Sequence, residues 1–288
     1  MTRARSLVVA VLVLLGTLGT VQATAAPAAG NYVALGDSFT AGPLIPTQQR
    51  PYGCLRSDRN YPHLVAPDLG LELRDVSCSG ADTKDMTAPQ GVSPGPNPPQ
   101  FDALDAATEI VTLGIGGNDM GFSSIAEDCF TPTPLGTPCQ DRYVVDGRDE
   151  ISERIAAVAP KVAAVLAGIA ERAPNADVYV VGYLPIFPPE GIGCWPTLPI
   201  AWDDVPYLRA KQHELNAMLA TEAADAGVTF VDAEAAGQGH DACQPPVLRW
   251  VEPAIPASPA APVHPNLFGM EGTAAALRAA LGLTPSGT

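Results

Sequence analysis

Tyr32-Val33-Ala34-Leu35-Gly36-Asp37-Ser38-Phe39-Thr40-Ala41-Gly42 reads as a short buried strand that runs straight into a glycine-flanked turn. The strand half carries no charge and does not alternate in polarity. That suits a strand of a parallel sheet covered on both faces. The turn half places a serine just past the strand end. There its hydroxyl is exposed, and a following helix N-terminus offers backbone N–H groups to negative charge. It lacks the G-x-S-x-G elbow of the α/β-hydrolases.

Four further apolar runs resemble the first: Leu73–Val76, Ile110–Leu113, Val178–Val181 and Val228–Val231. Helical patterns lie between and after them. Ile151 to Arg172 carries apolar residues at helical spacing, and Pro160 inside it predicts a kink or break. Tyr207 to Ala226 is closed by Gly227, and Asn266 to Leu281 presents Leu267, Met270, Ala274 and Leu277 on one face. Strands alternating with helices predict an α/β fold. The Pro-rich stretches 89–99, 132–138, 185–199 and 237–262 are expected to be loops. With no internal repeat or linker, residues 30–288 are expected to form one domain.

Arg3 and Arg5 precede an apolar run from Leu7 to Leu18, followed by Ala23-Thr24-Ala25. Residues 1–29 therefore read as a secretory signal peptide, cleaved near Ala25 or Ala29. The run is too short to span a bilayer, and no later segment is long and apolar enough for stable membrane insertion. The chain is expected to be extracellular. Six cysteines, Cys54, Cys78, Cys129, Cys139, Cys194 and Cys243, then suggest three disulfides among fifteen connectivities. There is no C-x-x-C pair, so no metal is expected. The net charge of −15 argues against nucleic acid as a partner. No P-loop or dinucleotide fingerprint is present, and no cofactor is expected.

The stretch around Ser38 resembles the first block of the GDSL/SGNH hydrolase family. Ser79-Gly80-Ala81, after the second strand, is similar to its glycine block. Gly116-Gly117-Asn118-Asp119, after the third, matches its G-x-N-D block. Val263-His264-Pro265-Asn266, before the last helix, matches its histidine block. The four blocks occur in order from Gly36 to His264. The resemblance implies a three-layer α/β/α sandwich around a parallel sheet of about five strands, flavodoxin-like. It implies an ester hydrolase with Ser38 as nucleophile and His264 as general base. The N–H groups of Ser38 and Gly80 and the Asn118 amide would form an oxyanion hole.

Many family members carry Asp three residues before the histidine. Here that position is Ala261, so the usual triad acid is missing. A secreted actinobacterial-type subset uses the main-chain carbonyl two residues before the histidine, which maps to Pro262. The same subset has six sequentially paired cysteines. It implies Cys54–Cys78, Cys129–Cys139 and Cys194–Cys243, and places Gly239–Cys243 and Arg249–Pro253 in a late loop bordering the site. Substituting Glu252 or Glu271, the nearest acids in sequence, is then expected to leave turnover nearly intact. Asp37, Asp232, His63, His213 and His240 read as structural or surface residues.

The expected substrate is a small-molecule or lipid ester, hydrolysed by a monomer. Phe122, Ile125, Phe187, Ile192, Trp195, Leu198, Trp202, Leu267 and Phe268 are candidate lining for an acyl site. A carbohydrate esterase on the same scaffold and an inactive secreted binding protein are the competing readings.

Overall fold

In the computed structural model, residues 30–283 are described, and the leader assigned to residues 1–29 lies outside them. The strands are β1 (Asn31–Gly36), β2 (Glu72–Asp75), β3 (Thr108–Gly114), β4 (Val144–Val145), β5 (Arg148–Asp149), β6 (Asp177–Val181) and β7 (Thr229–Val231). The helices are α1 (Ser38–Ala41), α2 (Tyr61–Leu69), α3 (Phe122–Cys129), α4 (Pro138–Tyr143), α5 (Glu150–Arg172), α6 (Val205–Asp225), α7 (Ala233–Ala236) and α8 (Leu267–Ala280). β4 and β5 form a small antiparallel hairpin. The other five strands form one parallel sheet in the order β2-β1-β3-β6-β7.

Parallel strands need long crossovers, and here helices supply them. The chain leaves β1 through α2 to β2 on one side, then returns past β1 to β3 and continues through α5 to β6 and α6 to β7. Because such crossovers share one hand, this reversal places helices on both faces of the sheet. α2 packs with α8, and α5 packs with α6. The core is made by the fully buried Val33, Leu35, Val111, Leu113 and Val180 of the strands, with Val158, Val162, Ile169, Leu219 and Met270 from the helices. The register pairs Leu35 with Leu113 and Gly36 with Gly114, so β1 and β3 end level.

Pro160 does not break α5, which is continuous from Glu150 to Arg172. Both Pro160 and Ala156, whose carbonyl loses its N–H partner, are exposed, so water can satisfy that carbonyl. α2 is a helix that the apolar pattern does not announce. Asn60 caps it by accepting from the His63 N–H (3.3 Å), and Pro62 sits in its first turn, where a missing N–H costs nothing. Among the described residues no helix is long and apolar enough to cross a membrane.

The disulfides are Cys54–Cys78, Cys129–Cys139 and Cys194–Cys243. Cys129–Cys139 joins the end of α3 to α4, and Cys194–Cys243 ties two irregular segments together. A second fastening is ionic. Glu252 is fully buried. Its carboxylate accepts from Arg249 Nη2 (2.7 Å), Asn266 Nδ2 (2.8 Å) and the N–H of Ala257 (2.8 Å). Burial pushes its carboxyl up, but these donors outweigh burial and hold it below the ordinary glutamate value. The stabilisation is therefore complete above the ordinary glutamate range and is lost as the pH falls through its own lower value.

Glu252 is thus a strut of the late loop, and substituting it acts on stability before it acts on turnover. Glu252→Ala leaves Arg249 charged and buried without a counter-ion, and is expected to cost about 3–5 kcal/mol. Thermal unfolding should show a Tm lower by on the order of 10 °C; an unchanged Tm would show that the strut carries no load.

Candidate active site

The loops after β1, β2 and β3 leave the same edge of the sheet, and α8 begins beside them. Ser38 opens α1, with Asp37 as its N-cap: the Asp37 carboxylate accepts from the Phe39 N–H at 2.9 Å. The N–H of Asp37 donates to the Gly114 carbonyl (2.9 Å). Gln100 braces the same turn through both Gly36 groups, donating to its carbonyl at 2.9 Å and accepting from its N–H at 2.8 Å. A side chain at Gly36 would collide with Thr40 and with the Gly114 carbonyl. That is a steric reason for glycine one residue before the turn.

Ser38 Oγ lies 2.8 Å from His264 Nε2, although 226 residues separate them. The other ring nitrogen, Nδ1, lies 2.7 Å from the Pro262 carbonyl. A carbonyl only accepts, so in the neutral ring Nδ1 carries the proton and Nε2 is free to accept the serine proton. The carbonyl reaches back across two residues because Val263 adopts a left-handed backbone, φ 59°. That conformation strains a β-branched residue, and the Val263 side chain is buried against the pocket described below. Burial holds the His264 imidazole below its ordinary value, and the Pro262 carbonyl only partly opposes this.

Among the described residues, no carboxylate bonds the ring. Glu252 spends both oxygens on Arg249, Asn266 and backbone; its N–H accepts no such role either, donating instead to the main-chain carbonyl of His264 at 2.9 Å. Glu271 is exposed on α8. Asp232 caps α7 by accepting from Ala235. His63 bonds Asn60, His213 meets Glu234, and His240 stacks on Trp250.

Asn118 is tied to the loop that carries Gly80. The Asn118 Nδ2 group donates to the Ala81 carbonyl at 2.9 Å, which fixes the amide and leaves its second hydrogen free. Next to it, Asp119 accepts from the N–H and the hydroxyl of Thr83 (2.9 and 2.6 Å). These bonds lock the second and third loops to each other. Gly80 has φ 78°, while the space beside its Cα is open. Backbone conformation, rather than close approach of another group, is therefore what favours glycine here. Among the described residues, the N–H groups of Ser38 and Gly80 donate to no protein acceptor.

An apolar pocket of about 830 Å³, measured to its open mouth, starts at Ser38 and Asn118. Of the proposed lining residues, Phe122, Ile125, Phe187 and Leu198 are there. Ile192, Trp195, Trp202, Leu267 and Phe268 are not; Ile192 and Phe268 are about half exposed. Their places are taken by Phe39, Ile151, Ile186, Ile200, Leu208 and Leu215. The helical members of this group sit in the periodic apolar stripes of α5 and α6, which carry no mark separating core from cavity wall. Lys211 also lines the pocket, but its ammonium is turned to Asp149 and Glu214 (2.7 Å each). Tyr183, unmarked by any motif, lies between the first and third blocks. Its hydroxyl donates to Asp37 (2.6 Å) and accepts from the Gly117 N–H (2.7 Å). Burial pushes the Asp37 carboxyl up to about 7, against the pull of the Tyr183 and Phe39 donors.

Comparison with known proteins identifies the family. The model of the GDSL-like lipase/acylhydrolase family matches residues 34–271. Lipase 2 of Streptomyces coelicolor is 42% identical over 282 residues, covering 92% of this chain and 93% of that protein. Phospholipase A1 from Streptomyces albidoflavus superposes with a TM-score of 0.73 at 26% identity, over 88% of this chain and 99% of its own. The extracellular lipase from Streptomyces rimosus gives a TM-score of 0.73 at 28% identity, over 88% and 100%. With its blocks in order at one edge of a five-stranded parallel sheet, this chain belongs to the GDSL-like lipase/acylhydrolase family and is a carboxylic ester hydrolase.

Proposed function

We propose that the protein is a secreted serine hydrolase that cleaves acyl esters through a Ser38–His264 dyad. The observation that carries this reading is the chain of two hydrogen bonds from Ser38 Oγ through the imidazole to the Pro262 carbonyl. Ser38 Oγ attacks the ester carbonyl carbon while its proton passes to His264 Nε2. The carbonyl oxygen takes up the negative charge, facing the N–H groups of Ser38 and Gly80 and the free Asn118 hydrogen. Collapse breaks the bond to the alcohol, which leaves with the proton from Nε2, and the acyl group stays on Ser38. Water then repeats the sequence, giving its proton to Nε2 and its oxygen to the acyl carbon, and Ser38 is restored as the acid departs.

The pocket supports an acyl chain as the part of the substrate that is bound. Its wall is almost wholly hydrocarbon, and each methylene buried there contributes about 0.8 kcal/mol. A sugar would need polar partners that this wall does not offer, which disfavours the carbohydrate-esterase reading. Export is supported by the three disulfides and by the basic-apolar-small pattern of residues 1–29. N-terminal sequencing of the exported protein is expected to find it starting just after Ala25 or Ala29; an intact Met1 would refute cleavage.

With nitrophenyl esters of increasing chain length, kcat/KM is expected to rise until the pocket is filled, and Ser38→Ala should reduce every substrate to background. Ile125→Trp, which fills part of the pocket, should cost long chains about tenfold or more and leave the acetate little changed. Equal losses for all chain lengths would remove the pocket from the reading.

The pH profile tests the base. His264 must be neutral to accept a proton, and burial lowers its value. The acid limb of kcat/KM should therefore have its midpoint below the ordinary 6.5 of a free imidazole. A midpoint near 7 would instead assign the limb to Asp37.

A further inference from the structure

We propose that Tyr183 is a positioning residue of the oxyanion hole, its phenol holding the nucleophile turn and the Asn118 turn in register. This rests on the dyad and oxyanion assignments above and goes beyond them, since Tyr183 belongs to no block of the family pattern.

Two residues bear on the point where charge would develop, and each has a neighbour tied to the same hydroxyl. Asp37 precedes Ser38, and Gly117 precedes Asn118. The Gly117 N–H donates to Tyr183 Oη (2.7 Å), and Oη donates to Asp37 Oδ2 (2.6 Å). The second contact has the length of a hydrogen bond to an ionised acceptor. All three groups are buried. Tyr183 itself is fixed from two sides. Its N–H donates to Asn216 Oδ1 (2.8 Å) and its carbonyl accepts from Asn216 Nδ2 (3.0 Å), so α6 sets its backbone. Its ring meets Phe39 edge-on, with centroids 5.0 Å apart. The fit on the far side is close: a side chain at Gly117 would touch the phenol at 3.0 Å. The hydroxyl thus spans the gap between β1 and β3 just beyond the last backbone bond between them, from the Asp37 N–H to the Gly114 carbonyl.

The Asn118 side chain is otherwise held by the Ala81 carbonyl, and the backbone of its turn by the Gly121 N–H on the Asn118 carbonyl (2.9 Å) and the Phe122 N–H on the Gly117 carbonyl (3.0 Å); none of these reaches the nucleophile turn. Without the phenol hydroxyl, the Gly117 N–H and Asp37 Oδ2 both lose their partner, and the turn that carries Asn118 loses this tie to the nucleophile turn. An ångström of displacement at a reacting centre is worth on the order of 10²-fold in rate.

The test is Tyr183→Phe, which keeps the ring and the pocket wall. Using a short nitrophenyl ester, kcat is expected to fall about 10- to 100-fold with KM changed less than about twofold. Tyr32→Phe serves as a control for generic loss of a buried hydroxyl, because Tyr32 bonds Thr112 within the strands and bonds neither Asp37 nor Gly117; it should lower Tm and leave kcat unchanged. The cycle with Asn118→Ala decides the route. Asn118→Ala alone should cost about 10²–10³, and adding Tyr183→Phe to it should cost less than about threefold more. Full multiplicativity of the two losses, or an unchanged kcat in Tyr183→Phe, overturns the proposal. An unchanged kcat in Asn118→Ala would instead overturn the oxyanion assignment on which it rests.

Discussion

The 2.8 Å contact between Ser38 and His264 joins the beginning of the folded chain to its end, and the architecture can be read as the means of closing it. A parallel sheet sends every strand's C-terminal end to one edge. The order β2-β1-β3 makes the chain reverse direction at β1, and such a reversal opens a crevice above the strand where it occurs. Ser38 sits in that crevice because it follows β1. Gly80 and Asn118 flank it because they follow the two strands that pair with β1. His264 arrives from outside the sheet, and this is why its segment needs more fastening than any other. Outside the sheet, the segment has one isolated antiparallel bridge, Val251 with Pro265. It is held by the buried Glu252 carboxylate, by Asn266 bonding both Glu252 and the Arg249 carbonyl, and by the Cys194–Cys243 link nearby.

The neutral partner of His264 has a chemical consequence. A carbonyl fixes the tautomer as well as a carboxylate does, but it stabilises the imidazolium less. The ring is also shielded from water, which disfavours its charged form further. In the mechanism proposed above, the imidazolium would therefore depend on the oxyanion that forms beside it, and that oxyanion on the donors assigned to Ser38, Gly80 and Asn118. Rigidity in those donors matters more in a dyad of this kind than in a site with a third charge. The density of bonds around them follows that need: Gln100 on Gly36, Asp119 on Thr83, Ala81 on Asn118, and Tyr183 between Asp37 and Gly117.

The parts legible in the sequence are those set by short-range chemistry. The five apolar runs became the five sheet strands; the two at the sheet edges, β2 and β7, are only partly covered, and β2 carries Glu72, Arg74 and Asp75. α5 and α8 were legible from spacing, and α5 survives Pro160 only because that residue faces solvent, a fact of tertiary placement. α2 stayed hidden because two prolines within nine residues argue against a helix unless the first falls in the opening turn. The blocks around Ser38, Gly80, Asn118 and His264 were legible through resemblance. The strut at Glu252 was not, since nothing in Arg249–Pro253 distinguishes a buried carboxylate from a solvated one. The left-handed Val263 runs against its own propensity, and only a site that needs the Pro262 carbonyl turned inward explains it.

Tyr183 shows why a site can be complete in its motifs and still be incompletely read. Its residue type is ordinary, and it lies two positions past the end of β6, which pairs with β3 rather than with β1. Only the sheet order brings that strand end within reach of both Gly117 and Asp37. The same ring also forms part of the acyl pocket wall. One side chain therefore touches the space for the substrate's hydrocarbon and the two turns that face its carbonyl. A chain that pressed on the ring would act on the register of Ser38 and Asn118 through two short hydrogen bonds. In this arrangement, binding energy from the remote end of a substrate can be used at the reacting centre, because the wall of the pocket and the brace of the oxyanion hole are one residue.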